Sequence, residues 1–285
     1  MGVRMNIHRN REVPTAVVVA VFLLSLSANA QEKKGFSYAV GPGAVISITN
    51  NYGPITVKPS GNSQVVVDTI SHSDAVTLAN EQHGDRIELR SVSSATGTNL
   101  VEYTVLVPAA AFVSLRSSDG TLRAEGLRGD VVLEAASGSV EVTNISDAHL
   151  HVKTLNGPIS LTNVTNSHLE IHSVSGDVSL NNVTGPTVEV NSGAGRISYN
   201  GDPGRTGNYL LTSHSGNLEV SIPASAWVEI KARSIKSQSD PEFPSISNVP
   251  SMNRGQTSLL GKPGKILGSR FELRSFSGKI RLTRP

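Results

Sequence analysis

One short segment recurs along this chain, and the recurrence constrains the fold more tightly than any other feature of the sequence. Aligned on a glycine, the copies fall at Gly120, Gly138, Gly157, Gly176, Gly195, Gly216 and Gly278, with steps of 18, 19, 19, 19 and 21 residues between the first six. A fixed period of this length means one small supersecondary unit stacked many times. Two residues past the glycine the copies carry Leu122, Val140, Ile159, Val178, Ile197, Leu218 and Ile280, and four past they are again mostly apolar. Polar residues such as Glu141, Ser160 and Ser179 lie between. That alternation marks a half-buried β-strand. Seven and five residues before the glycine, pairs such as Val131 and Leu133, Leu150 and Val152, and Leu169 and Ile171 mark a second strand. Three before it only small residues occur, from Ser117 and Ala135 to Ser213 and Ser275, as a tight corner requires. A third apolar mark falls seven past, at Leu127, Ile145, Val164 and Val183.

The glycine lies between the two strands, where a corner calls for positive φ. One coil cannot bury its own apolar side, whereas stacked coils can. The expected fold is therefore all-β: a single-domain parallel β-solenoid, right-handed and β-helix-like. It has about 19 residues per coil, rungs about 4.8 Å apart and a divergent β-rich N-terminal cap. An antiparallel sandwich also has many short strands with regular turns, but it needs no fixed spacing.

The chain has 285 residues and no cysteine, which removes disulfides, thiolate metal ligands and thiol catalysis. Residues 1–30 read as a secretory signal peptide: Arg4, Arg9 and Arg11, an apolar run from Ala16 to Leu26, then Ala28-Asn29-Ala30 before a cut at Gln31. The run is shorter than the roughly 20 residues of a membrane span, and no other segment of the mature chain is expected to cross a bilayer. The expected location is periplasmic, cell-surface or extracellular. Residues 31–112 read as the cap with a first divergent repeat at Ile46–Val57, and 113–236 as the regular stack. Residues 237–265, with four prolines, read as an inserted loop, and 266–285 as a closing repeat.

Without the leader the net charge is about zero, a poor match to nucleic acid. The distribution is uneven. Residues 113–222 carry 6 basic and 11 acidic side chains, net −5, and residues 223–285 carry 11 and 4, net +7. That basic end reads either as a solvated end or as a contact for anionic envelope polymers or phospholipid headgroups.

The repeat also places outward side chains relative to one another. His149 and His168 fall in one column; His151, Glu170 and Glu189 in the next; Arg116, Glu134, Lys153, His172 and Asn191 in a third. The candidate binding patch is His149, His151, His168, Glu170 and Glu189. Imidazole and carboxylate suit zinc, copper or nickel, but nothing in the sequence supplies supporting groups, so no metal and no cofactor is assigned. Glycoside hydrolysis needs two carboxyls roughly 5–10 Å apart in a cleft. Glu141 and Glu219 share a column four rungs apart, and Glu170 and Glu189 are neighbours on an open face. Ser213-His214-Ser215 lacks the spatial triad of a serine hydrolase, and no corner carries a P-loop ending. The chain reads as non-catalytic.

Tyr103-Thr-Val-Leu-Val-Pro108, Val113-Ser-Leu115, Ser118-Asp-Gly120, the serial Ser-Gly and Asn-Gly corners, Gly53–Val57 and the final Ser277–Leu282 together form an ordered set. Over roughly residues 36–285 it resembles the bacterial adhesin-like family of β-strand repeats, domain of unknown function 4097. The resemblance implies an exported β-solenoid of the cell envelope, an adhesin-like scaffold or binding module for a polymer or protein, with no catalytic motif to carry over. An envelope-stress sensor that binds a protein partner, and a polysaccharide-degrading β-helix enzyme, are the alternatives.

Overall fold

A computed structural model describes residues 32–93, 99–234, 256–258 and 268–284. The signal peptide expected at 1–30 lies outside the described residues, as does nearly all of the loop expected at 237–265. The described residues form 23 strands and no helix. The strands fall into two long sheets of 11 and 12 strands, and from residue 112 onward their pairing is parallel and in register, apart from one antiparallel three-residue strand. The fold is the expected β-solenoid.

Each regular rung gives one strand to each sheet. In the first sheet, Phe112–Asp119, Val131–Ala135, His149–Thr154, His168–Ser173, Thr187–Ser192 and Asn208–Ser213 stack in that order. In the second, Leu122–Glu125, Val140–Thr143, Ile159–Val164, Val178–Val183, Ile197–Asn200 and Leu218–Ser221 do the same. Ile159 pairs with Val178 and Val178 with Ile197, one unbroken internal column. The inward residues of both sheets, and the third mark at Leu127, Ile145, Val164 and Val183, are fully buried. Toward the C-terminal end the core turns aromatic. The rings of Tyr209 and Phe271 stack at 4.3 Å, and Tyr199 meets both edge-on. The buried hydroxyls are satisfied, Tyr199 donating to the carbonyl of Val183 and Tyr209 to that of Pro203.

The repeat glycine has a different cause from the one the sequence suggests. None of the seven has positive φ. A Cβ on any of them would lie 1.9–2.1 Å from the carbonyl oxygen of the glycine one rung below. The corner is closed by backbone stacked directly on backbone, and only hydrogen fits there. Positive φ occurs instead six residues later, at Gly126, Asn144, Asn163, Asn182 and Gly201. Asparagine and glycine are the residues that tolerate this conformation. The asparagines also form a ladder: Asn163 donates to Asn144, and Asn182 to Asn163, each at 3.2 Å.

The two ends break the chain order. Strands Val45–Tyr52 and Ile55–Ser60 stack directly against Phe112–Asp119 and Leu122–Glu125. Arg86–Ser93 and Val101–Pro108, although later in sequence, lie outside them. Antiparallel strands then close this end, Gln64–Ser71 and Glu32–Ala39 on one sheet and Val76–His83 on the other. At the far end Ser269–Ser275 pairs with Asn208–Ser213, and Val228–Ser234 lies beyond it as the outer neighbour, followed by Gln256–Ser258. The copy that ends the sequence is therefore inserted beneath the strand expected to precede it. The glycine column explains this order. It runs Gly53, Gly120 and onward to Gly216 and Gly278 without a gap.

Candidate functional site

The outward residues of the first sheet form three parallel columns, because each strand exposes alternate side chains and the next strand repeats the register. His149 faces His168, His151 faces Glu170, and Lys153 faces His172 across one strand pair; Glu170 then faces Glu189 across the next. The five residues of the predicted patch thus share one face, but four of their side chains sort into two groups and the fifth stands apart. At the strand starts, the rings of His149 and His168 lie 5.8 Å apart, and His149 Nδ1 turns back to Asp130 Oδ1 at 2.9 Å. In the middle of the face, Glu170 receives His172 Nε2 at 2.7 Å on one oxygen and His151 Nδ1 at 3.1 Å on the other. The hydrogen bond from His172, aided by His151, holds the Glu170 carboxyl below the usual carboxylate range. Glu189 stands apart from both groups and accepts the amide of Asn191 at 2.9 Å. Among the described residues no three His, Asp or Glu side chains converge to hold a metal ion.

Two features of this face were not singled out from the sequence. His172 is the first. It lies two residues from Glu170 on the same side of one strand, in the third column that the period of two defines but outside the candidate patch. The second is a groove of about 840 Å³ that runs along the solenoid axis past five regular rungs and reaches Thr49 and Asn51 of the layer before them. One wall is the column Arg116, Glu134, Lys153, His172 and Asn191. The floor is the small column Ser117, Ala135, Thr154, Ser173 and Ser192. The other wall is the corner ridge Ser118, Ala136, Leu155, Val174 and Gly193. Three of the floor hydroxyls turn to the backbone, Thr154, Ser173 and Ser192 donating to the carbonyls of Gly157, Gly176 and Gly195, whereas the buried hydroxyl of Ser117 has no hydrogen-bond partner. Leu155 and Val174 are more than half exposed, on adjacent corners. Arg116 is engaged by Glu134 at 2.9 Å, and the Lys153 ammonium has no carboxylate partner among the described residues. The groove therefore offers an apolar ridge beside a cation.

The repeat with its glycine column is matched by a family model over residues 44–254, about three quarters of the chain. The chain belongs to the Toastrack DUF4097 family. No curated protein matches this Toastrack chain. Among solved structures it is similar to a candidate adhesin of Bacteroides fragilis at 12% identity, covering 90% of this chain and 99% of that one, with a TM-score of 0.49. It is also similar to a candidate cell adhesion protein of Clostridium sporogenes, at 13% identity, 89% and 100% coverage and a TM-score of 0.29. A candidate lipid-binding protein of Parabacteroides distasonis gives 13%, 87% and 96%, and 0.40. No helix among the described residues is long and apolar enough to cross a membrane.

Proposed function

We propose that this Toastrack protein is a non-catalytic binding module of the bacterial cell envelope, exported by the leader read at residues 1–30. It engages an extended polymer or protein segment along the groove of the first sheet and the histidine–carboxylate face beside it. The carrying observation is the shape of the site: an open channel crossing six layers of the stack, walled by Lys153 on one side and Leu155 and Val174 on the other. A ligand that extends along the axis meets the groove at each rung, so individually weak contacts add. The carboxylates nearest the groove support the same reading. Glu134 is engaged by Arg116, and Glu170 by two histidines that hold its carboxyl low, which disfavours Glu170 as a general acid.

A glycan array together with a pull-down from envelope extract tests this. The expected outcome is a ligand retained without turnover. The triple variant Lys153→Gln, Leu155→Ser, Val174→Ser should lower its affinity about tenfold or more and leave the melting temperature nearly unchanged, since all three side chains are exposed. Release of reducing ends from a polyuronate, abolished by Glu170→Gln, would overturn the proposal in favour of an enzyme.

A further inference from the structure

Stacking turns sequence position into position along an axis, so the uneven charge of this chain becomes a longitudinal polarity. Residues 32–222 carry 11 basic and 18 acidic side chains, net −7. The described residues of the last two strand layers, 228–234 and 268–284, carry seven Lys and Arg against two Glu. Both of those carboxylates are already engaged. Glu229, almost buried, meets Arg270 at 3.1 Å and Lys231 at 3.9 Å. Glu272 meets Arg274 at 2.6 Å, and the field of Arg274, Arg233 and Lys231 helps to hold its carboxyl low. Lys231, Arg233, Arg270, Arg274 and Lys279 all reach solvent. Two aromatic side chains accompany them. Phe276, 56% exposed, lies at the corner two residues past Arg274, its ring flat on His214 at 5.0 Å. Trp227, 55% exposed, immediately precedes the outermost parallel strand. The groove described above stops at Asn191 and Gly193, short of this end.

We propose that the C-terminal end of the solenoid docks on an anionic phospholipid bilayer, holding the rod end-on with its acidic barrel and N-terminal cap directed away. Cationic side chains near an anionic leaflet are each attracted to it, and aromatic rings beside them belong at the headgroup level. A soluble polyanion would satisfy the cations and leave Phe276 and Trp227 in water. The acidic barrel is repelled by the same surface, which sets the orientation.

Co-sedimentation of the full chain with vesicles tests the proposal. The readout is the ratio of binding to phosphatidylglycerol-containing vesicles over binding to phosphatidylcholine alone, compared between variants that all keep residues 1–30, so that the contribution of Arg4, Arg9, Arg11 and the apolar run is common to them. The ratio should rise with phosphatidylglycerol content and fall with salt. It should drop about tenfold or more in the triple variant Lys231→Gln, Arg233→Gln, Lys279→Gln, and fall further with Phe276→Ser. The triple variant Lys33→Gln, Lys34→Gln, Lys58→Gln removes the same charge at the opposite end and should leave the ratio unchanged. Circular dichroism melts establish that each variant is folded. An equal loss in both triple variants, a ratio independent of phosphatidylglycerol, or capture by dextran sulfate with no vesicle binding would overturn the proposal.

Discussion

At the scale of single residues, glycine does two separate jobs in this chain. Gly157 is required because a Cβ there would lie 1.9 Å from the carbonyl oxygen of Gly138, a backbone atom that cannot rotate aside. Gly61 has open space around it and no unusual φ. Gly157→Ala should therefore destabilise by about 1–3 kcal/mol or more, the range for forced overpacking. Gly61→Ala should be neutral, or stabilise by about 0.4–1 kcal/mol through the unfolded chain. Urea unfolding of the two variants side by side checks both. The tyrosines give a second test. Burial pushes the phenols of Tyr38, Tyr103 and Tyr209 up to about 12, and that of Tyr199 higher still. Between the unfolded value near 10 and the folded value, the folded state holds protons that the unfolded state has lost. Stability is thus full below about pH 10 and falls as pH rises toward 12. Absorbance at alkaline pH should show these phenols still protonated well above pH 10 in the folded protein, and ionising near pH 10 in denaturant. At the acid end the direction reverses. The lowered carboxyl of Glu170 stabilises above the ordinary carboxylate pKa, and its contribution disappears as pH falls through the lowered value. The group is exposed, so Glu170→Gln should cost less than about 1 kcal/mol at neutral pH, and the difference from the parent should vanish in acid melts.

At the scale of the element, the asparagine ladder separates backbone conformation from hydrogen bonding. Asn163 has φ 56° and both donates to Asn144 and accepts from Asn182. Asn163→Gly keeps the conformation and loses the ladder bonds; Asn163→Ala loses both. Alanine should therefore be the worse variant, by about 1–2 kcal/mol from the left-handed backbone alone, measured by thermal denaturation of the pair. This element also marks where sequence reading stopped. The strands and their register were legible, because inward positions repeat at a fixed distance from each glycine and parallel stacking preserves that distance. The ladder at Asn144, Asn163 and Asn182 repeats just as regularly, but polar residues between strands look alike whether they serve a turn or merely face water. The groove was hidden for another reason. Its outer wall reads Ser118, Ala136, Leu155, Val174, Gly193, a column with no chemical pattern, and only the bend of the corner shows that these side chains stand out beside Lys153 and His172. The histidines of the candidate patch share one outward face, but hydrogen bonds to Asp130 and Glu170, which depend on side-chain rotation, divide them.

At the scale of the whole molecule, a stack of near-identical layers has nearest-neighbour energetics, since each rung touches only the two beside it. The chain order at the ends was not legible, because it depends on which layers offer a bare glycine for the next to sit on, and Gly53 meets Gly120, and Gly216 meets Gly278, across long sequence separations. The same physics makes stability depend on position. Val178 is buried between Ile159 and Ile197, with a partner on each side. Ile230 is also buried, but it belongs to the outermost parallel strand, whose inner neighbour is Phe271. Truncating either to alanine removes buried methyl groups and leaves a cavity worth about 1–4 kcal/mol, yet the two losses should spread differently. Val178→Ala weakens interfaces on both sides and should lower amide-exchange protection across the neighbouring rungs from 150 to 200. Ile230→Ala should release only the strand at 228–234 and its immediate neighbours. Hydrogen exchange resolved by rung distinguishes these patterns. Uniform loss of protection in both variants would mean that the rod unfolds as one indivisible unit, and the additive picture of stacked layers would have to be abandoned.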